Sequence, residues 1–197
     1  ENVEKAVTSV IDRDQTLAQE VLDSDPAIDD QEVEVEEECL KILALHQPVA
    51  NDLRYIVAVL KMNNDLERIG DLAVNIADIG LHLAVVEGLV IPYDLEGLVR
   101  RVREMLEKSL DAMMEMNAEL AREVGGMDDE VDAINRRVYP DVQAAIRKHP
   151  DKIDSLIRLL RVSTNLERIA DHATNIAEDV IYLVEGEIIR HTAGEGK

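Results

Sequence analysis

The chain has 197 residues, with 42 acids against 21 bases for a net charge of −21, and apolar residues make up 46% while aromatics supply only 2%. A surface of that sign repels nucleic-acid phosphates and anionic membranes and attracts cations or basic partner patches, so direct nucleic-acid binding is not expected. With no Trp or Phe, the core must be Leu, Ile, Val, Ala and Met, residues that interdigitate well between helices.

The length suits one large domain or two small ones. Cys39 is the single cysteine, so no intrachain disulfide forms, and a reducing cytosol is the simplest setting. It sits in an apolar run, as a small buried hydrophobe does. No apolar run approaches the ~20 residues that span a bilayer. The chain opens on Glu1-Asn2-Val3 with neither Met nor a signal-like segment. It is expected to be cytoplasmic.

In chain order, Val3, Val7, Val10, Ile11, Leu17, Val21 and Leu22 follow a helical period over residues 1 to about 22. Asp25 reads as the N-cap and Pro26 as the first position of a second helix, which runs through an acid-rich stretch to about Leu45. Gln47-Pro48 interrupts the chain, and a third helix spans about Val49 to Glu87. Gly88 and Ile91-Pro92-Tyr93 close the first half. A fourth helix covers about 94–124 and ends at Gly125-Gly126, and a fifth covers about 128–148. A sixth covers about 151–190, followed by a polar tail expected to fray.

The plan is repeated. Asn64 to Asp78 returns one hundred positions later as Thr164 to Glu178, identical at nine of fifteen positions. Leu17-Ala18-Gln19-Glu20-Val21 matches Leu120-Ala121-Arg122-Glu123-Val124 at an offset of 103. The pattern predicts an all-α fold of two tandem, pseudo-symmetric three-helix units, residues 1–90 and 91–197. Applied to the fourth helix, the offset also predicts that the first helix lacks part of its start.

On a wheel of about 100° per residue, Asp71, Asn75 and Asp78 fall within about 80° of Glu67, whereas Leu66, Ile69, Ala73 and Ile76 gather opposite. The acids therefore form a stripe pointing away from the apolar seam. Four carboxylate pairs recur at i,i+4: Asp25/Asp29, Glu67/Asp71, Asp128/Asp132 and Glu167/Asp171. Like charges one turn apart weaken a helix, and a cation held between them reverses that. Should the middle and last helices of a half be neighbours, four carboxylates converge, with Asn75 or Asn175 as a neutral oxygen donor. An all-oxygen set suits iron, manganese, magnesium or calcium, and zinc less well. Such acid pairs are also the ordinary content of a solvated face, and Asp25 and Asp128 serve equally as helix caps. Recurrence of the pairs together with Arg68 and Arg168 favours a selected feature. No Gly-rich phosphate loop, Ser/His/Asp set, Cys/His pair or Glu-x-x-His appears, so catalysis is not expected. His172 replaces Leu72 and reads as a half-exposed filler. Met113, Met114 and Met116 read as core or adaptable contact surface.

Two three-helix units, each with Leu-Glu-Arg-Ile-x-Asp-x-Ala-x-Asn-Ile-Ala on its last helix, closely resemble the PhoU family, as does the run from Cys39 through Ala44-Leu45-His46-Gln47-Pro48 to Arg54. The resemblance covers essentially the whole chain. It implies two bundles side by side and a Glu(Asp)-x-x-x-Asp signature carrying metal clusters, iron first, on Glu67/Asp71 and Glu167/Asp171 and by extension on Asp25/Asp29 and Asp128/Asp132. Pro26 directly after Asp25 departs from that pattern. The resemblance further implies a regulator that restrains the phosphate-starvation response by linking the ATPase subunit of a phosphate ABC transporter to a sensor histidine kinase. Self-association into a homodimer is left open. The rival readings are a metal-storage or metal-dependent hydrolytic bundle, and an accessory of another phosphate permease.

Overall fold

The computed structural model describes residues 1–186, which form six α-helices and no strand. These are α1 (Asn2–Asp12), α2 (Gln15–His46), α3 (Asn51–Ala84), α4 (Leu95–Glu115), α5 (Ala118–Lys148) and α6 (Ile153–Glu185), with one 3-10 turn at Pro150–Lys152 before α6. Helices α1, α2 and α3 pack on one another, α4, α5 and α6 do the same, and α3 and α6 join the two bundles along their length. The expected helix end near residue 190 and the polar tail lie outside the described residues.

Two helix boundaries differ from the sequence expectation, and they differ in the same way. The first turn falls at Arg13-Asp14, not at Asp25-Pro26. Arg13 adopts the left-handed conformation (φ 58°), and the Asp14 carboxylate accepts from the backbone N–H of Thr16 and Leu17 at 2.8 and 3.2 Å. The second falls at Met116-Asn117, not at Gly125-Gly126: Met116 is left-handed (φ 51°) and Asn117 Oδ1 accepts from Leu120 N–H at 3.1 Å. These turns are equivalent at the offset of 103, and each side chain satisfies donors that a helix start leaves free. Pro26 lies inside α2, where it removes one N–H without ending a helix held by its packing against α3. Asp25 is therefore an interior helical residue and not a cap. Asp128 likewise lies inside α5, not at its start.

The core is aliphatic as composition requires. Ile76, Ile79, Leu159, Leu166, Ile169 and Ile176 are fully excluded from solvent, and each such side chain contributes about 1.5–3 kcal/mol by leaving water. Cys39 is buried, and burial pushes its thiol up.

The α3–α6 junction carries polar groups as well. Asp65 on α3 is buried and accepts a 2.7 Å hydrogen bond from His172 Nδ1 and a 3.3 Å bond from Asn175 Nδ2 on α6. Lys61 Nζ lies 3.1 Å from Oδ1 of buried Asp179 and, with Arg54, stands over the ring of Tyr182. His172 is thus an inter-bundle link and not a filler. In the other copy of the repeat these positions are Asn165 and Leu72, and the buried Nδ2 of Asn165 finds no hydrogen-bond partner among the described residues. Replacing His172 by Leu alone strips Asp65 of its strongest donor and should cost about 1–3 kcal/mol. The double variant Asp65→Asn/His172→Leu, which reproduces the Asn165/Leu72 combination, should recover most of that loss in urea unfolding. A double variant less stable than His172→Leu would contradict this account.

Candidate functional site

Each bundle presents a groove walled by its middle and last helices, and the recurrent carboxylates face one another across it. In the first, α2 brings Asp25 and Asp29 and α3 brings Glu67 and Asp71, because period-four spacing sets each pair on one helix face. Gly70 sits between the two α3 acids. A methyl group there would meet the Ile28 side chain of α2 at 3.5 Å, an ordinary van der Waals contact, and the equivalent position of the second bundle carries one, as Ala170. In the second groove α5 supplies Asp128 and Asp132 and α6 supplies Glu167 and Asp171.

The charges act on each other across the walls. Burial first, and then Asp29 and Asp71, push the Asp25 carboxyl up. Burial, then Asp71, raises Glu67, with further contributions from Asp29 and Glu32 and relief from Arg68. In the second groove burial raises Asp128, Glu167 and Asp171, and Asp132 adds to the shift of all three. Arg68 answers part of the first groove's charge, standing 3.1 Å from Asp71 and 3.5 Å from Glu67. Arg168 lowers Asp171 in the same sense.

One position in each groove escapes the sequence reading. Asn135 donates from Nδ2 to Glu167, and its counterpart at the offset of 103 is Glu32, whose charge reaches Glu67. Carrying the Asp25/Asp29 spacing one more turn, to i+7, finds both. Of the two asparagines expected as neutral donors, Asn175 donates across the bundle junction to Asp65, and Asn75, its repeat equivalent, is exposed.

The donor set is oxygen only, which is the chemistry a hard cation takes. Among the described residues, no group of three or more His, Cys, Asp or Glu stands at the spacing of a single closed ion site. The four carboxylates of each groove act on one another electrostatically without closing round one ion. A cation would neutralise charges that now repel, held by Asp25, Asp29, Glu67 and Asp71 in one groove and by Asp128, Asp132, Glu167 and Asp171 in the other.

Duplicated three-helix bundles joined through their last helices, each with a carboxylate-lined groove, define a tandem-repeat helical protein with a paired acidic site. The chain belongs to the PhoU family: the PhoU domain matches residues 1–80 and again 95–180. It is 37% identical to the phosphate-specific transport system accessory protein PhoU homolog of Deinococcus radiodurans over 86% of this chain and 80% of that one. It is also 37% identical to the homolog of the same name from Pseudomonas aeruginosa, over 96% and 78%. The crystal structure of PhoU from Pseudomonas aeruginosa superposes with a TM-score of 0.89 over 94% of this chain and 90% of its own. The phosphate transport system regulatory protein PhoU from Streptococcus pneumoniae, 28% identical, gives 0.83 over 95% and 88%.

The raised carboxyls make a pH prediction with a definite sign. A carboxyl whose folded-state value exceeds its unfolded one opposes folding when charged. That penalty is absent below about pH 4, grows as pH rises through the raised values, and is complete above them. Metal-free wild type should therefore lose stability between about pH 4.5 and 7 relative to Asp128→Asn and Glu167→Gln. Urea titrations at both pH values check this, and an unchanged difference would show that these groups do not repel.

Proposed function

We propose that this protein is a regulatory accessory of a phosphate-specific transport system that acts through partner contacts and not by catalysis, with hard cations held in its two grooves. The observation that carries the metal part is the recurrence, in register, of four facing carboxylates per bundle whose charges are left incompletely answered. Membership of the PhoU family supports the transport part, since the relatives are named for that role. In this reading the protein links the cytoplasmic ATPase subunit of a phosphate importer to a membrane-bound sensor histidine kinase, holds starvation genes off when phosphate is plentiful, and works in the cytoplasm. No helix among the described residues is long and apolar enough to cross a membrane, which accords with attachment through partners. A net charge of −21 speeds encounter with basic surfaces at low salt.

Two measurements test the two parts separately. Protein purified from iron- or manganese-supplemented cells should lose the metal of one groove in Glu67→Gln/Asp71→Asn and of the other in Glu167→Gln/Asp171→Asn. Unchanged metal by elemental analysis in both double variants would reduce the stripe to solvated charge. A deletion strain should leave phosphate-starvation genes on in rich phosphate, and normal shut-off with no second copy present would remove support for the regulatory role.

A further inference from the structure

Among the described residues, 1–186, the two halves differ in what covers their equivalent surfaces. In one, the connection between α3 and α4 folds over α5 and α6. Arg13 donates to the carbonyls of Val86 and Leu89, Tyr93 Oη donates to Leu159 O at 2.6 Å, and Lys152 Nζ donates to the carbonyls of Glu87 and Gly88. Leu89 is buried, and Val86, Ile91 and Tyr93 pack on the core.

Shifted by the repeat offsets, the same surface lies on the other side of the molecule, over α2 and α3 and at the ends of α4 and α6. Arg13 becomes Met116 and Leu159 becomes Val59. There, Val35, Tyr55, Val59, Met113, Met114 and Leu183 line an open apolar groove of about 400 Å³. The difference in cover shows in exposure: Val35 is 36% exposed whereas its counterpart Val138 is 1% exposed, and Met114 is 70% exposed. The apolar surface continues along α2 through Ile42 and Leu45, both exposed. A patch of this kind on a protein surface marks an interaction site, and methionines there adapt to varied apolar anchors.

The α2 side of the rim is mainly acidic. Val35 stands between Glu34 and Glu36 and is followed by Glu37 and Glu38, and Lys41 is the cation paired with that last pair. Glu115 precedes Met116 at the far wall. The α3 cations Arg54 and Lys61 are engaged over Tyr182.

We infer that this groove docks a short segment of a partner protein that carries two or three large apolar side chains, as Leu89, Ile91 and Tyr93 do in the covered half, flanked by lysine or arginine. The apolar side chains fill the place the connecting segment fills by repeat symmetry, and the basic flanks meet the glutamates of α2. The proposal rests on the accessory role proposed above and gives the partner its chemistry. A binding measurement on purified protein fails independently of that role, which the deletion strain tests.

The probe is a labelled synthetic peptide with Leu-Val-Ile-Pro-Tyr between two pairs of lysines, titrated into the full chain by fluorescence anisotropy. Wild type should bind it saturably at one site. Met114→Glu and Val35→Glu, both at exposed positions, should weaken binding at least tenfold. Val90→Glu, exposed on the covered side, should leave it within twofold. A peptide with Leu, Ile and Tyr changed to Ser but all lysines kept should also bind at least tenfold more weakly. Equal binding of the serine peptide, or unaltered binding to both groove variants, overturns the proposal, since charge alone would then account for it. A dimer by sedimentation that Val35→Glu dissociates would overturn it in favour of a second copy. A tenfold gain in affinity on changing Ile189, the sequence counterpart of Leu89, to Glu would overturn it in favour of the chain's own residues.

Discussion

Everything in this molecule depends on α3 and α6 each meeting three different environments with one helix. At about 100° per residue, the acids Glu67, Asp71 and Asp78 occupy roughly 0–40° on α3, Lys61, Asp65, Leu72 and Ile79 about 120–160°, and Leu66, Ile69, Ala73 and Ile76 about 180–260°. The first sector faces the groove, the second the opposite bundle and the third its own core. The same division holds on α6, with Glu167 and Asp171 in the first sector and His172, Asn175 and Asp179 turned toward α3. Between the first two sectors Asn64, Arg68 and Asn75 stay exposed, so the helix keeps only a narrow free strip along its middle. That accounts for strict recurrence of identity at Leu66-Glu67-Arg68-Ile69 and for substitution at positions where only the bundle junction is served.

The groove chemistry opposes the fold that creates it. Carboxylates brought together on two walls raise one another and lose hydration, and neither effect favours the metal-free folded state. Aliphatic packing along α3 and α6 outweighs this, because each fully buried Ile or Leu contributes about 1.5–3 kcal/mol. The partial answers from Arg68 and Asn135 limit the repulsion without removing it.

The duplication, the all-helical class and the eight acids are legible in the amino-acid sequence because each rests on spacing, which helical geometry converts directly into a shared face. The inner turns are not. Pro26 and the Gly125-Gly126 pair are strong local signals for a break, yet packing overrides them, and the real turns at Arg13-Asp14 and Met116-Asn117 use residues whose signal is a single capping side chain. The role of His172 is hidden because its partner, Asp65, is 107 positions away, and no local pattern carries that distance. Glu32 and Asn135 stand one turn beyond the i,i+4 pairs, and because one is an acid and the other an amide, a search for recurring acid pairs passes over them. The open Met-lined groove shows only once the covering of its counterpart by residues 85–94 is seen.

The Asp65–His172 contact also bears on self-recognition. A duplicated chain risks pairing like with like: the first unit of one molecule against the first unit of another, through the same helix face that α3 offers α6. Such a pairing would set Asp65 against Leu72 on both sides and bury two carboxylates with no imidazole to meet them. Two second units would meet as Asn165 against His172, with no acid between them. The mismatch between the copies gives the molecule a lock and a key on opposite units, so that the preferred complement of a first unit is a second unit and not another first one.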